Sequence, residues 1–405
     1  MLVVHPTPNG RDGIQGRRVV VTGVGVVAPC GVGRDAFWAG LLGPAPEGPR
    51  RVEAFDATPI FGPKEIRRVD RFTQFAAVAA AEAVEDAGGV SSFASDPDRT
   101  GVIVGTGVGG IETLEEQIKV LLDRGARRVS PFLVPMMMGN RGAADISMRY
   151  GFRGPCETTV TACAAGTHSV ANGARLVATG RCDVVIAGSA EAAMTETSIA
   201  GFTNMTALST TGVSMPFDAK RDGFVMGEGA GILVLEELDR AVARGAKIYA
   251  EVLGAASTAD AHHITAPAPQ GIGAVTCMEL ALVDAGVGAE AVTHINAHGT
   301  STPANDLAES QAIVKVFGSP GPAVTSIKGI TGHSLGAAGS LEAAALALTI
   351  ERSLIPPTAG LNDQDPEITI DVVRGQPRKW EPGPALSNSF GFGGHNGTLV
   401  LGPIA

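Results

Sequence analysis

Short runs of branched aliphatic residues alternate with longer, alanine-rich runs along most of the chain. The first series occupies 17–25 (RRVVVTGVG), 72–88 (FTQFAAVAAAEAVEDAG), 99–107 (RTGVIVGTG), 157–162 (ETTVTA), 169–180 (SVANGARLVATG), 183–191 (DVVIAGSAE) and 231–238 (GILVLEEL). The β-branched runs predict strands and the alanine-rich runs helices, the alternation of an α/β fold whose sheets are covered on both faces. A second series starts near residue 249 and repeats the order at 249–257, 274–286, 292–299, 309–318, 323–329, 340–352 and 397–402. This implies an internal duplication into halves 1–249 and 250–405. No proline/serine-rich linker separates them, so they are expected to pack as one body.

Composition sharpens that picture in one respect. Glycine accounts for 54 of 405 residues and aromatics for only 4%, against a usual glycine share of ~7%. The interior is therefore expected to consist of small and branched side chains around tight turns and close backbone approaches. The net charge of −10 argues against a general nucleic-acid or membrane binder, both of which need a positive excess. Cys30, Cys156, Cys163, Cys182 and Cys277 contain no CxxC pair, so neither a disulfide framework nor a zinc site is indicated, and a reducing cytoplasm fits best. Arg17-Arg18 followed by an apolar run and Cys30 imitates a lipoprotein leader. Two glycines break that run and Pro29 precedes the cysteine, so a first strand ending in a glycine turn is the better reading.

Chemistry concentrates in four segments. Cys163, in VTACAAG, falls between a predicted strand and a predicted helix, where free backbone N–H groups and the helix dipole favour a thiolate and a developing oxyanion. His298, in NAHGTSTPANDLAE, and His333, in KGITGHSLGAAGSLE, both sit in glycine-rich turns after strands, where α/β folds gather reactive groups. A thiol with two imidazoles suits acyl transfer. Lys328 and Glu342 flank His333 at five and nine residues, placed either to tune the cluster or to pair with each other. The glycines around Phe390 and Phe392 in NSFGFGGHNG imply a loop pressed against a ligand or a nucleophile. By contrast, GTGVGGI lacks the dinucleotide spacing, and adjacent His262 and His263 cannot easily share one metal ion.

Together the four segments resemble the signatures of the β-ketoacyl-acyl carrier protein synthases of the elongating type, over nearly the whole chain. The resemblance implies a thiolase fold: two duplicated α/β halves in a five-layered αβαβα body, normally dimeric. It implies that Cys163 accepts the acyl group and that His298 and His333 serve decarboxylation and bind the enolate and carbonyl oxygens. Lys328 and Glu342 would support them. The N–H groups of Cys163 and Phe392 would form the oxyanion hole, and the Phe392 ring would gate the two half-reactions. Thr300 and Thr302 resemble residues that hold the 4'-phosphopantetheine arm of an acyl carrier protein; no bound cofactor or metal is implied. Val108, Leu133, Met136, Met137, Met138 and Phe202, with Phe390, are expected to shape the acyl pocket. Lys64, Arg67, Arg68, Arg71, Arg124, Arg127 and Arg128 form two basic clusters that, in relatives, meet the acidic carrier.

Other classes fit less well. A degradative thiolase is expected to carry a second cysteine near its C-terminus, and none follows Cys277. An initiating synthase pairs cysteine with one histidine and an asparagine. A chain-length-factor subunit lacks the nucleophile. A papain-like reading of Cys163, His298 and Asn388 leaves the second histidine and the glycine loop unused. The motifs fit both fatty-acid synthases and the ketosynthase subunits of type II polyketide systems, so the partner is a second copy or a chain-length-factor-like homologue.

Overall fold

The structure is a computed structural model that describes residues 16–404. Ten strands follow one path: β1 (Val19–Ala28), β2 (Thr100–Gly105), β3 (Cys156–Glu157), β4 (Val184–Glu191), β5 (Gly229–Glu237), β6 (Ala250–Ala259), β7 (His294–Asn296), β8 (Ala323–Thr325), β9 (Ala385–Gly391) and β10 (His395–Gly402). Their spatial order is β3-β2-β4-β5-β1-β6-β10-β9-β7-β8. Read outward from the central β1–β6 contact, each half has the same order, with every strand replaced by the one five later. Pairing senses repeat too: β2 is parallel to β3 and β4, as β7 is to β8 and β9, and the remaining pairs are antiparallel. The duplication expected from the run pattern is therefore present in the topology.

The layers follow from the two-residue period of the strands. Val184 and Ile186 of β4, with Ile232 and Val234 of β5, face one way and pack on α1 (Arg71–Asp86) and α2 (Arg141–Tyr150). Val185, Ala187, Leu233 and Leu235 face the other way, onto α3 (Ala165–Ala178) and α6 (Ala338–Arg352), which share one core with Leu399 and Leu401 of β10. Leu386 and Val400 face outward again, onto α4 (Ile272–Ala285) and α5 (Pro303–Phe317). The result is helix, sheet, helix, sheet, helix. The glycine content is spent partly on the middle layer. A Cβ on Gly166 would lie 2.4 Å from the backbone N of Ser340, and one on Gly339 would lie 2.6 Å from that of Thr167, so neither position admits a side chain where α3 and α6 cross.

Three expectations need correction. The strand expected over 157–162 is only Cys156–Glu157, because this edge segment has β2 alone as a neighbour and keeps one further bond to it, from Thr106 N to Thr159 O. The helix expected behind Cys163 is Ala165–Ala178, which starts ahead of the 169–180 run and leaves the thiol at the turn into it. Val19–Ala28 is a fully buried central strand; it does not end in a glycine turn but runs on through Gly23 and Gly25, where a Cβ would meet the backbone oxygens of Ala83 and Ala79 of α1 at 2.2 and 1.9 Å. No helix among the described residues is long and apolar enough to cross a membrane.

Candidate active site

Cys163 sits in the 3-10 turn Ala162–Ala164, which runs directly into α3. Ala162 is held at φ = 48°, a left-handed conformation that costs a non-glycine residue of order 1–3 kcal/mol and persists where surrounding structure imposes it. Ala164 N donates back to Thr161 O at 3.1 Å to close the turn. His333 reaches the thiol from the other half, with Nε2 3.0 Å from Sγ. Its backbone is pinned on both sides, N donating to Val225 O at 2.7 Å and O accepting from Gly227 N at 3.0 Å.

His298 follows β7. Its ring meets that of His333 edge to face with centroids 5.3 Å apart, and one ligand atom from each of Cys163, His298 and His333 falls within 4.8 Å of the others. Lys328 donates from Nζ to His298 Nδ1 at 3.3 Å and to His298 O at 2.6 Å, and it forms a close ion pair with Glu342, both side chains being 1% exposed. Because Nζ has only donors, His298 must carry its proton on Nε2. For His333 the Nδ1 atom is buried without a partner. Placing the proton on Nε2 leaves a lone pair unmatched rather than an N–H, and points the donor at Sγ. The donor types alone would suit zinc, but a zinc-bound histidine gives its other nitrogen to an acceptor, and here that nitrogen faces a cation.

Burial sets the electrostatics. It pushes the Cys163 thiol up to about 11, against the opposing pull of Lys328 and of the Phe392 N–H. Burial, then Lys328, hold both imidazoles well below the usual histidine range. The resting cluster is therefore a thiol with two neutral imidazoles, each offering an Nε2–H donor. Burial also raises Glu342 to about 7, with Lys328 as the main counterweight.

The cluster opens into a cavity of ≈ 490 Å³. Val108, Phe202, Thr300, Thr302, Phe390 and Phe392 all line it, as does Gly391. The Thr300 and Thr302 hydroxyls are bonded to each other at 2.9 Å, and the Phe202 and Phe392 rings lie 6.5 Å apart. Leu133 and the three methionines expected beside them are not on the wall. Leu133–Met137 is a short outer helix, and the Met137 carbonyl instead accepts Gly110 N at 3.1 Å, backing the glycine turn that carries Val108.

Lys64, Arg67, Arg68, Arg124, Arg127 and Arg128 are all exposed. Arg68 stacks on Phe132 at 4.4 Å from the ring centre, which joins the cluster at 64–68 to the segment that follows the one at 124–128. Arg71 does not join them: it is half-buried, bonded to Glu228 at 2.7 Å and stacked on Phe75. Its position at the start of α1, over that ring, removes it from the rim.

Sequence reasoning missed Glu309. Its carboxylate accepts His298 N at 2.8 Å and Gly299 N at 2.7 Å, fixing the turn that presents His298. The acidic positions of NDLAE, three residues apart on one helix face behind the histidine, were the available signal. It also missed Asp260 and the 265–267 loop at the cavity mouth.

A duplicated αβαβα body that closes a buried thiol against two imidazoles across the joint of its halves has the architecture of the thiolase-fold acyltransferases. Residues 50–241 match the N-terminal domain of the β-ketoacyl synthases and residues 249–362 their C-terminal domain. The chain is 46% identical over 410 residues to the 3-oxoacyl-[acyl-carrier-protein] synthase 2 of Synechocystis, covering 96% of this chain and 98% of that one. It is 44% identical over 409 residues to the enzyme of the same name from Staphylococcus aureus, with the same coverage. Among solved structures it resembles the ishigamide ketosynthase/chain length factor, at TM-score 0.90 and 36% identity over 96% of this chain and all of that one. A type II polyketide ketosynthase in complex with its acyl-carrier protein, bound to the hexaketide, superimposes at TM-score 0.88 and 32% identity with the same coverage. The chain belongs to the β-ketoacyl synthase family.

Proposed function

We propose that the chain is an elongating β-ketoacyl-acyl carrier protein synthase of fatty-acid type, with the nucleophile in the half 1–249 and the histidines in the half 250–405. The observation that carries this reading is the 3.0 Å contact between Cys163 Sγ and His333 Nε2, in a cluster where both imidazoles are held neutral. In the first half-reaction Sγ forms a bond to the acyl carbonyl carbon while the carrier's C–S bond breaks, and the thiol proton passes to the departing pantetheine sulfur. No free thiolate need accumulate, which fits a thiol pushed up to about 11. The N–H groups of Cys163 and Phe392 receive the oxyanion. In the second half-reaction a malonyl thioester loses carbon dioxide. His298 and His333 donate Nε2–H to the enolate oxygen, the enolate carbon attacks the acyl-Cys carbonyl, and the C–Sγ bond breaks, with one proton from solvent restoring the thiol. Neutral donors suit this step: they match a charge that exists only as the reaction proceeds. Lys328 and Glu342 hold His298 in the donating tautomer, and Phe392 lies where its ring would separate the two steps.

Substrates would arrive on the 4'-phosphopantetheine of a carrier protein, with Thr300 and Thr302 along its path; no resident cofactor is required. Lys64, Arg67, Arg68, Arg127 and Arg128 would meet the acidic carrier. Reversing charge with Arg127→Glu and Arg128→Glu is expected to raise KM for carrier-linked substrate by about tenfold or more, with kcat within about twofold. An equal loss with a small pantetheine thioester would show that the arginines act on something other than docking. Leu114, Ile118 and Leu121, 38–46% exposed at helical spacing on Ile111–Arg124, support burial of that face in a dimer. The setting would be cytoplasmic.

Gly391 gives a sharper test of the oxyanion site. A Cβ there would lie 3.1 Å from Cys163 N and 3.2 Å from Ala164 N, in the space the carbonyl oxygen needs. Gly391→Ala is expected to slow acylation of Cys163 by about 10²-fold, the range seen when one oxyanion donor is lost. Measuring the acyl-enzyme by mass against time checks this.

The structural likeness to type II polyketide ketosynthases favours a second reading, a ketosynthase subunit acting with a chain-length-factor partner. Elongation of acyl-carrier protein with malonyl-carrier protein by the purified chain alone supports the fatty-acid reading. Activity only after adding a homologous subunit supports the second.

A further inference from the structure

The duplication repeats the catalytic turn as well as the sheets. Ala162 and Leu335 both stand at φ = 48°; a 3-10 turn follows at Ala162–Ala164 and at Leu335–Ala337, and each runs straight into a central helix, at Ala165 and Ala338. In this register Gly336 is the counterpart of Cys163. The third residue of each central helix bonds a serine of the opposite half's strand, Ser340 to Ser189 at 2.5 Å and Thr167 to Ser389 at 2.7 Å. Ser189 therefore corresponds to Ser389, and two residues on, Glu191 corresponds to Gly391.

The two turns differ in what faces their N–H groups. Cys163 N faces Gly391, whose missing side chain leaves room for a carbonyl oxygen. Gly336 N faces Glu191 and donates to Oε2 at 3.1 Å. The same carboxylate accepts Gly107 N at 2.6 Å and Thr106 Oγ1 at 3.0 Å. It is fully buried, and all these partners are neutral donors. The packing is tight: a Cβ on Gly336 would lie 2.1 Å from Gly107 N and 2.7 Å from Oε2.

We propose that Glu191 is a positioning residue whose carboxylate fills a second amide nest, the duplicate of the oxyanion site, and so fixes the Gly107–Val108 wall of the acyl cavity against the turn Leu335–Ala337 that follows His333. The inference rests on the acyl-transfer reading above. One half keeps its nest empty for the substrate's oxyanion. The other keeps an internal anion there, joining an acyl-pocket wall to a turn that begins two residues after His333. Burial raises Glu191 to about 7, the direction expected of a carboxylate whose only compensation is neutral donors.

Glu191→Gln keeps the shape but presents an NH₂ group to donors it cannot accept. Glu191→Ala leaves a vacant nest beside Gly107, which lines the cavity and gives a small anion a route in. The test measures acyl transfer and condensation with acetyl- and long-chain acyl-carrier protein, with and without added sodium formate, and Cys163 alkylation by iodoacetamide as a control. For E191Q, kcat/KM with the long-chain donor is expected to fall by about 10–100-fold and with acetyl by severalfold less, while alkylation stays within about twofold. Formate is expected to restore E191A by about fivefold or more, and formamide not at all. Wild-type rates in E191Q, or equal losses for both chain lengths with no response to formate, would overturn the proposal in favour of a purely structural carboxylate. If E191A fails to fold, the chain-length split in E191Q decides alone. A wild-type chain that does not condense these substrates would instead overturn the acyl-transfer reading itself.

Discussion

Replacing Cys163 with alanine is expected to cut condensation to below about 10⁻³ of the wild-type rate while leaving the fold intact. The size follows from the role: both half-reactions pass through the Sγ–acyl bond, and no other cysteine lines the cavity. Among the other cysteines, Cys182 is buried in the core shared by the halves and Cys277 in that of the second half, and neither Cys30 nor Cys156 lines the cavity. The fold should tolerate the change because a buried thiol packs as a small apolar group and the turn is held by backbone bonds that alanine keeps. Circular dichroism and melting temperature check the second half of the prediction, and carrier-linked product formation the first. Undiminished condensation by C163A would sink the mechanism.

The second large effect is expected from His333→Ala. Transthioesterification passes a proton from sulfur to sulfur and draws its oxyanion donors from backbone N–H groups, so C163 acylation should survive within about tenfold. Decarboxylative condensation should fall by about 10²-fold or more, since one of two donors to the enolate is lost in a water-poor site. Intact mass of the acyl-enzyme measures the first, and release of labelled carbon dioxide the second. Failure to acylate at all would reassign His333 as the base that activates the thiol. The same geometry bears on pH. Burial and Lys328 depress both imidazoles, so they stay neutral, and able to donate, from the ordinary histidine range upward; acid is where they would lose that state.

The sequence made the strands, the duplication and the three reacting side chains legible because each leaves a local trace. Runs of branched residues mark buried strands, and Cys163, His298 and His333 stand in glycine- and alanine-rich turns beside them. What it hid is what depends on approach between distant segments. Nothing local to Glu191 says that its carboxylate will meet the backbone N–H of Gly107, 84 residues away, and the spacing in NDLAE marks a helix face without saying that Glu309 will meet the N–H of His298. Arg71 reads like its basic neighbours until α1 turns it onto Phe75 and Glu228. Leu133 and the methionines read as pocket residues because they are apolar and near the glycine turn, yet none lines the cavity, and it is the backbone at 136–137 that meets that turn. Part of the glycine excess has the same explanation. Gly166, Gly339, Gly336 and Gly391 are positions where backbone meets backbone across the joint of the halves, and composition alone could only say that such meetings occur somewhere.

The central claim is that Cys163 holds the growing chain between two half-reactions. Its most direct test is intact-mass analysis of the purified chain mixed first with acyl-carrier protein alone and then with malonyl-carrier protein. The account predicts one acyl group per chain, mapped to Cys163, which disappears on the second addition as a product two carbons longer appears on the carrier with release of carbon dioxide. A chain that elongates without passing through that adduct, or an adduct that persists or is hydrolysed to free acid when malonyl-carrier protein is added, would contradict it.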